Sequence, residues 1–80
     1  MKINLKYFGM IAETIGKIEE EMFVDVNQIT KYEFTKILQK NYPQLQVMSF
    51  KIAINQTIVA EDSIIYEGDE IALLPPFSGG

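Results

Sequence analysis

Apolar and polar residues alternate almost from the first position. Ile3, Leu5 and Tyr7 interleave with Lys2, Asn4 and Lys6, the period of two that marks a half-buried strand. Phe8-Gly9 breaks that period. Met10 to Ile15 then fits a short helix with Met10, Ile11 and Ile15 turned inward and Gly16 at its stop. From Ile18 the period of two returns, with Ile18, Met22, Val24 and Val26 on one face and Glu19, Glu21 and Asp25 on the other. Glu20 falls on the apolar side, so burial of this strand is expected to begin only near Met22. The run Glu19-Glu20-Glu21 reads as an exposed strand start rather than a metal or catalytic cluster.

The clearest helix start is Ile29-Thr30-Lys31-Tyr32-Glu33-Phe34. Thr30 and Glu33 have capping-box spacing, and Ile29 and Phe34 sit where a hydrophobic staple closes around the cap. Phe34, Ile37, Leu38 and Tyr42 (or Asn41) continue as a helical stripe, which Pro43 ends at or before Tyr42. Gln44 to Phe50 reads as a connection whose Leu45, Val47 and Phe50 dip into the core. Ile52 and Ile54 mark a third strand, Asn55-Gln56 a tight turn, Thr57 to Ala60 a short fourth strand, and Glu67-Gly68-Asp69 a turn into a last strand, Glu70 to Leu74. Two opening strands, a helix crossing their sheet, and a final strand lying beside the first make an α+β chain of the β-grasp, or ubiquitin-like, arrangement. The expected form is a mixed sheet of four to five strands covered on one face by a helix. Residues 1–74 form the body and residues 75–80 a flexible, extended C-terminal Gly-Gly tail.

Composition narrows the chemistry. Eighty residues make one domain near the lower limit for an unaided core, and the chain has neither Cys nor His. No disulfide or thiolate metal site can form, and both the commonest general base and the commonest neutral metal ligand are missing. With no signal-like or membrane-length apolar run, the expected location is the cytoplasm. The formal net charge is −4, all seven cations are lysines, and none lies beyond Lys51, whereas Glu61, Asp62, Glu67, Asp69 and Glu70 do. Clustered cations for nucleic acid are therefore lacking, and a basic protein surface is the better electrostatic match. The sequon Asn55-Gln56-Thr57 carries no weight without a secretory signal.

No P-loop, dinucleotide fingerprint or Ser-His pair is present. The pairs Glu61/Asp62 and Asp69/Glu70 are adjacent in sequence and read as solvated turn residues. Ser78 has no titratable neighbour to act as its base and reads as a spacer. What remains is the end of the chain. Pro75-Pro76 cannot donate strand hydrogen bonds and favours a stiff extended exit. Phe77 could anchor the tail in an apolar pocket. Gly79-Gly80 has no side chains and suits a narrow slot. An α-carboxylate is an anion at neutral pH and a poor electrophile until an oxygen becomes a leaving group. Adenylation by ATP would do that, and the missing nucleotide motif assigns the ATP-consuming step to a partner. The six tail residues span about 20 Å when extended, enough to reach a partner's buried site.

Several segments together resemble the MoaD-like sulfur carriers, the small subunits of molybdopterin synthase. They are Asn55-Gln56-Thr57-Ile58-Val59, Glu67-Gly68-Asp69-Glu70-Ile71-Ala72 and Leu74-Pro75-Pro76-Phe77-Ser78-Gly79-Gly80, with Tyr7-Phe8-Gly9, Ala12-Glu13 and Gly16 near the start. The chain departs from the family pattern in having no Arg, where relatives often carry one between Met10 and Ile15, and in Leu74, where relatives often carry Phe.

The resemblance implies that Gly80 is the reacting residue, first a glycyl adenylate and then a thiocarboxylate (1-thioglycine). Pro75, Pro76, Phe77, Ser78 and Gly79 would enter the partner, and Leu74 and Phe77 would dock on it. It implies an E1-like adenylyltransferase, a sulfur donor protein and a large synthase subunit, in a 2:2 heterotetramer, as partners. Sulfur would pass to cyclic pyranopterin monophosphate to build the dithiolene of molybdopterin. The chain itself would bind no cofactor or metal and would be a non-catalytic, sulfur-donating subunit, with the catalytic side chains on the large one. The same fold and terminus would also serve a ubiquitin-like protein modifier, or a sulfur carrier for thiamine or tRNA thiolation.

Overall fold

Strand β1 (Lys2–Tyr7) buries every second side chain, and its neighbours follow from where those side chains must go. In the computed structural model, which describes residues 1–77, β1 is followed by α1 (Gly9–Ile15), β2 (Glu19–Phe23), β3 (Gln28–Thr30) and α2 (Lys31–Asn41). A 3-10 turn (Pro43–Val47) then leads to β4 (Lys51–Ile54), β5 (Thr57–Ile58), β6 (Ile64–Tyr66) and β7 (Glu70–Leu74). Five strands form one sheet in the order β2-β1-β7-β4-β5. The first and last strands of the chain lie side by side and parallel, with Leu5 opposite Ile71 and Tyr7 opposite Leu73. All other neighbours are antiparallel. This is the mixed, β-grasp sheet expected from the element order.

Ile3, Leu5 and Tyr7 from β1, Ile52 and Ile54 from β4, and Ile71 and Leu73 from β7 meet Ile11, Phe34, Leu38 and Leu45 in one core. Helix α2 starts as its sequence dictates. Thr30 Oγ1 accepts from the Glu33 N–H at 3.1 Å, and the Glu33 carboxylate accepts from the Thr30 N–H at 3.2 Å. Helix α1 ends at Gly16, whose φ of +87° is the left-handed cap that favours glycine, with its N–H on the Ala12 carbonyl at 2.8 Å.

Several expectations need correction. Met10 is 69% exposed, because α1 turns only Ile11 fully inward and rests Ile15 against the core edge. Ile18 and Val26 are exposed: the regular strand runs only from Glu19 to Phe23, so neither is held to the face of Glu20 and Met22. Burial in β2 begins with Glu20, one inward position earlier than Met22. Val47 is 90% exposed because the segment winds as a 3-10 turn, which carries Leu45 into the core and rotates Val47 out of it. The fourth strand is only Thr57–Ile58. A second, two-stranded sheet of β3 and β6, with Ile29 opposite Ile65, has no counterpart in the expectations. No helix among the described residues is long and apolar enough to cross a membrane.

Candidate functional site: the root of the C-terminal tail

The centre of the sheet aims the chain end. β7 is flanked by β1 and β4, and its register holds to the last residue, with Leu74 opposite Lys51. The Phe8 N–H donates to the Leu73 carbonyl at 3.2 Å, so the start of α1 is tied to the end of β7. Pro75 then stops the ladder, having no N–H to offer. Gly9 lies directly against this exit with a φ of +58°, and a Cβ placed on it would stand 2.9 Å from Pro75 Cγ. Only glycine fits there without moving Pro75.

Two apolar surfaces meet at this root. One is the outer face of the sheet, where Phe8, Ala53, Ile58, Ala72 and Leu74 form a shallow depression bordered by Lys6 and Glu70, an ion pair at 3.2 Å. The other is a groove of about 520 Å³ lined by Gly9, Met10, Ile11, Met48, Pro75 and Phe77, with Glu13 on its rim. The two share no lining residue; Leu74 belongs to the first and Pro75 to the second.

The expected site residues divide accordingly. Leu74 and Pro75 are half-buried, whereas Pro76 and Phe77 are exposed, Phe77 by 85%. Ser78, Gly79 and Gly80 lie outside the described residues. Phe8, Gly9, Met10, Met48 and Ile58 surround the root but were not assigned to it from sequence: Phe8-Gly9 read as the break after the first strand, Met10 as an inward helix residue and Ile58 as part of a short strand.

Among the described residues, one group of titratable side chains is clearly perturbed, and none of its members lines either surface at the root. Both Tyr7 and Tyr42 donate their hydroxyls to Glu20 Oε2, the latter at 2.6 Å, and Lys17 Nζ reaches Glu20 Oε1 at 3.3 Å. Burial, then the Glu20 carboxylate, drives the Tyr7 phenol far above its ordinary value. Burial also pulls Glu20 upward, but the hydrogen bonds from Tyr42, Tyr7 and Lys17 outweigh it and hold the carboxyl below its usual range. The rings of Tyr7 and Tyr42 meet edge to face with centroids 6.2 Å apart. This cluster fastens β1 and β2 to the end of α2.

Chemically, the root offers mainly apolar contact on both of its surfaces and a stiff exit, with Glu13 and Ser49 on the groove and the Lys6–Glu70 ion pair on the outer depression. It can present a chain end to another protein. The ThiS family model matches residues 5–80. The molybdopterin synthase sulfur carrier subunit of Dictyostelium discoideum is 33% identical over 85 residues, covering 99% of this chain and 96% of that one. A chain of the solved protein-protein complex of subunits 1 and 2 of the Helicobacter pylori molybdopterin-converting factor is similar at 29% identity, with a TM-score of 0.66 and full coverage of both chains. Small archaeal modifier protein 1 of Haloferax volcanii is similar at 25% identity, with a TM-score of 0.78 over 94% of this chain and 97% of that one. The chain belongs to the ThiS family of β-grasp proteins, among the relatives of the molybdopterin synthase sulfur carrier subunits.

Proposed function

We propose that this protein is the sulfur carrier subunit of molybdopterin synthase. The observation that carries the reading is full-length similarity to proteins of that name, on a chain whose own side chains offer no catalytic group at the tail. The Gly80 carboxylate attacks ATP on an E1-like partner, giving an acyl adenylate and pyrophosphate. The terminal sulfur of a donor protein's persulfide displaces AMP to give an acyl disulfide, and a thiol then attacks the donor-side sulfur, forming a new disulfide and releasing Gly80 as a thiocarboxylate. Pro75 to Gly79 carry that group into the large subunit, where Leu74 and Phe77 dock and the sulfur passes to cyclic pyranopterin monophosphate. Two such transfers complete one dithiolene, which suits a 2:2 assembly. Catalytic side chains belong to the large subunit, ATP to the activating partner, and the cycle runs in the cytoplasm.

The test is a change of mass. Incubated with its activating enzyme, ATP and a sulfur donor, the protein gains about 16 Da, one oxygen replaced by sulfur, at Gly80. The modified protein then supports molybdopterin formation with the large subunit. A second reading is favoured by the likeness to the small archaeal modifier protein. If Gly80 is recovered in amide linkage to lysines of other proteins and the large subunit is inert, the modifier reading replaces the carrier reading.

A further inference from the structure

We infer that the groove beside α1 is a second docking site, which receives an apolar side chain of the large subunit when that subunit takes the tail. The inference rests on the carrier reading and adds a contact to it. From Phe77 to Gly80, the residue that reacts on the carrier reading, three residues span about 10 Å at full extension. A protein that acts on Gly80 must therefore bring its own surface within that distance of Phe77, and Phe77 is a wall of the groove. Closure over the tail buries the groove as well as the outer sheet face.

The lining defines the occupant. Met10, Ile11, Met48, Pro75 and Phe77 present carbon and thioether surface, and Glu13 is the only ionised group among the lining residues. Methionine adapts its shape to an incoming side chain, so two of them suit a socket that is filled only in the complex. An aliphatic or aromatic residue fits the interior, and a neighbouring Lys or Arg fits Glu13 at the rim. Met10 is 69% exposed although it sits on a helix whose next residue is fully buried. The core does not hold it there, and contact with a partner would.

Met10 is also the position where the idea can be tested with little risk to the fold. It lies in the first turn of α1, where a carboxylate is compatible with the helix dipole. Affinity for the purified large subunit is measured by calorimetry for the wild type, Met10→Glu, Met10→Leu and Val47→Glu, alongside the melting temperature of each. Met10→Glu is expected to weaken binding about tenfold or more, as loss of a packed interface anchor does, without a fall in melting temperature. Met10→Leu is expected to stay within about twofold, since the apolar volume is kept. Val47→Glu, exposed and outside the groove, is expected to bind as the wild type does. If Met10→Glu binds with wild-type affinity, the groove is not an interface and this inference falls while the carrier reading stands. If the wild type does not bind the large subunit at all, the carrier reading falls and takes the groove with it.

Discussion

Leu73 and Phe77 are four residues apart, yet Leu73 is fully buried and Phe77 is 85% exposed. Both are large and apolar, so composition does not separate them. Leu73 sits in β7 between β1 and β4, where every second side chain must enter the core. Phe77 follows two prolines that cannot extend the ladder, and its ring lines an open groove instead of entering the core. The transition from packing to presentation is completed at Leu74-Pro75. Upstream of it, each side chain is chosen by its neighbours in the body. Downstream, Pro76 and Phe77 are exposed, and on the proposed function a partner surface accounts for them.

The largest effect expected from this contrast is on stability. Leu73→Ala removes a buried side chain from the middle of the core and should cost about 2–5 kcal/mol in denaturant unfolding. At the high end this approaches the whole stability of a small domain, so a partly unfolded product is an acceptable result. A loss below about 1 kcal/mol would mean that the end of β7 is less tightly packed than its burial indicates.

A smaller effect belongs to the polar latch in which Tyr7 and Tyr42 donate to Glu20. Glu20→Ala leaves the Tyr7 hydroxyl without its acceptor in a buried setting, at an expected cost of about 1–3 kcal/mol. The pH dependence gives a sharper test. The folded-state carboxyl is held below its ordinary value of about 4.3, so it contributes stability above that pH, and the contribution is lost as pH falls through the folded value. Urea titrations from neutral to acid pH should show a steeper loss in the wild type than in Glu20→Gln, which cannot ionise. Matching acid profiles would remove the latch from the account of stability.

Legibility follows the same division. The capping box at Thr30 and Glu33, the alternation of β1, and the Gly16 stop were readable because each is a local rule satisfied by residues within one element. That β7 lies beside β1 was readable from element order, and the structure adds that the pair is parallel. Val47 was misassigned because apolar identity was taken for burial, whereas the 3-10 winding around Leu45 decided which side chain entered the core. Glu20 on an apolar face looked like a reason to delay burial. Its partners, Tyr7 and Tyr42, come from elements far apart in the chain, and no spacing rule connects them. The β3–β6 sheet was missed for a related reason, since three-residue strands carry too little alternation to stand out. At the tail, sequence pointed to Leu74 and Phe77, but the groove and the outer depression exist only once α1, β4 and β7 are assembled.

The smallest expected effect on the fold, and the most discriminating, comes from Phe77→Ala. The side chain contributes one wall of a groove and is otherwise in solvent, so unfolding free energy should change by no more than about 0.5 kcal/mol. Affinity for the large subunit should fall, because truncating an exposed aromatic anchor removes contact area that only the complex uses. The same substitution at Leu73 should show the opposite balance, with stability lost first and binding lost only through unfolding. Measuring both variants by urea denaturation and by calorimetry at a temperature where both stay folded separates the two roles. A drop of several degrees in the melting temperature of Phe77→Ala would show that the ring packs on the body in solution. The chain would then be held by its own core three residues past Leu74, and presentation would begin only with the last three residues.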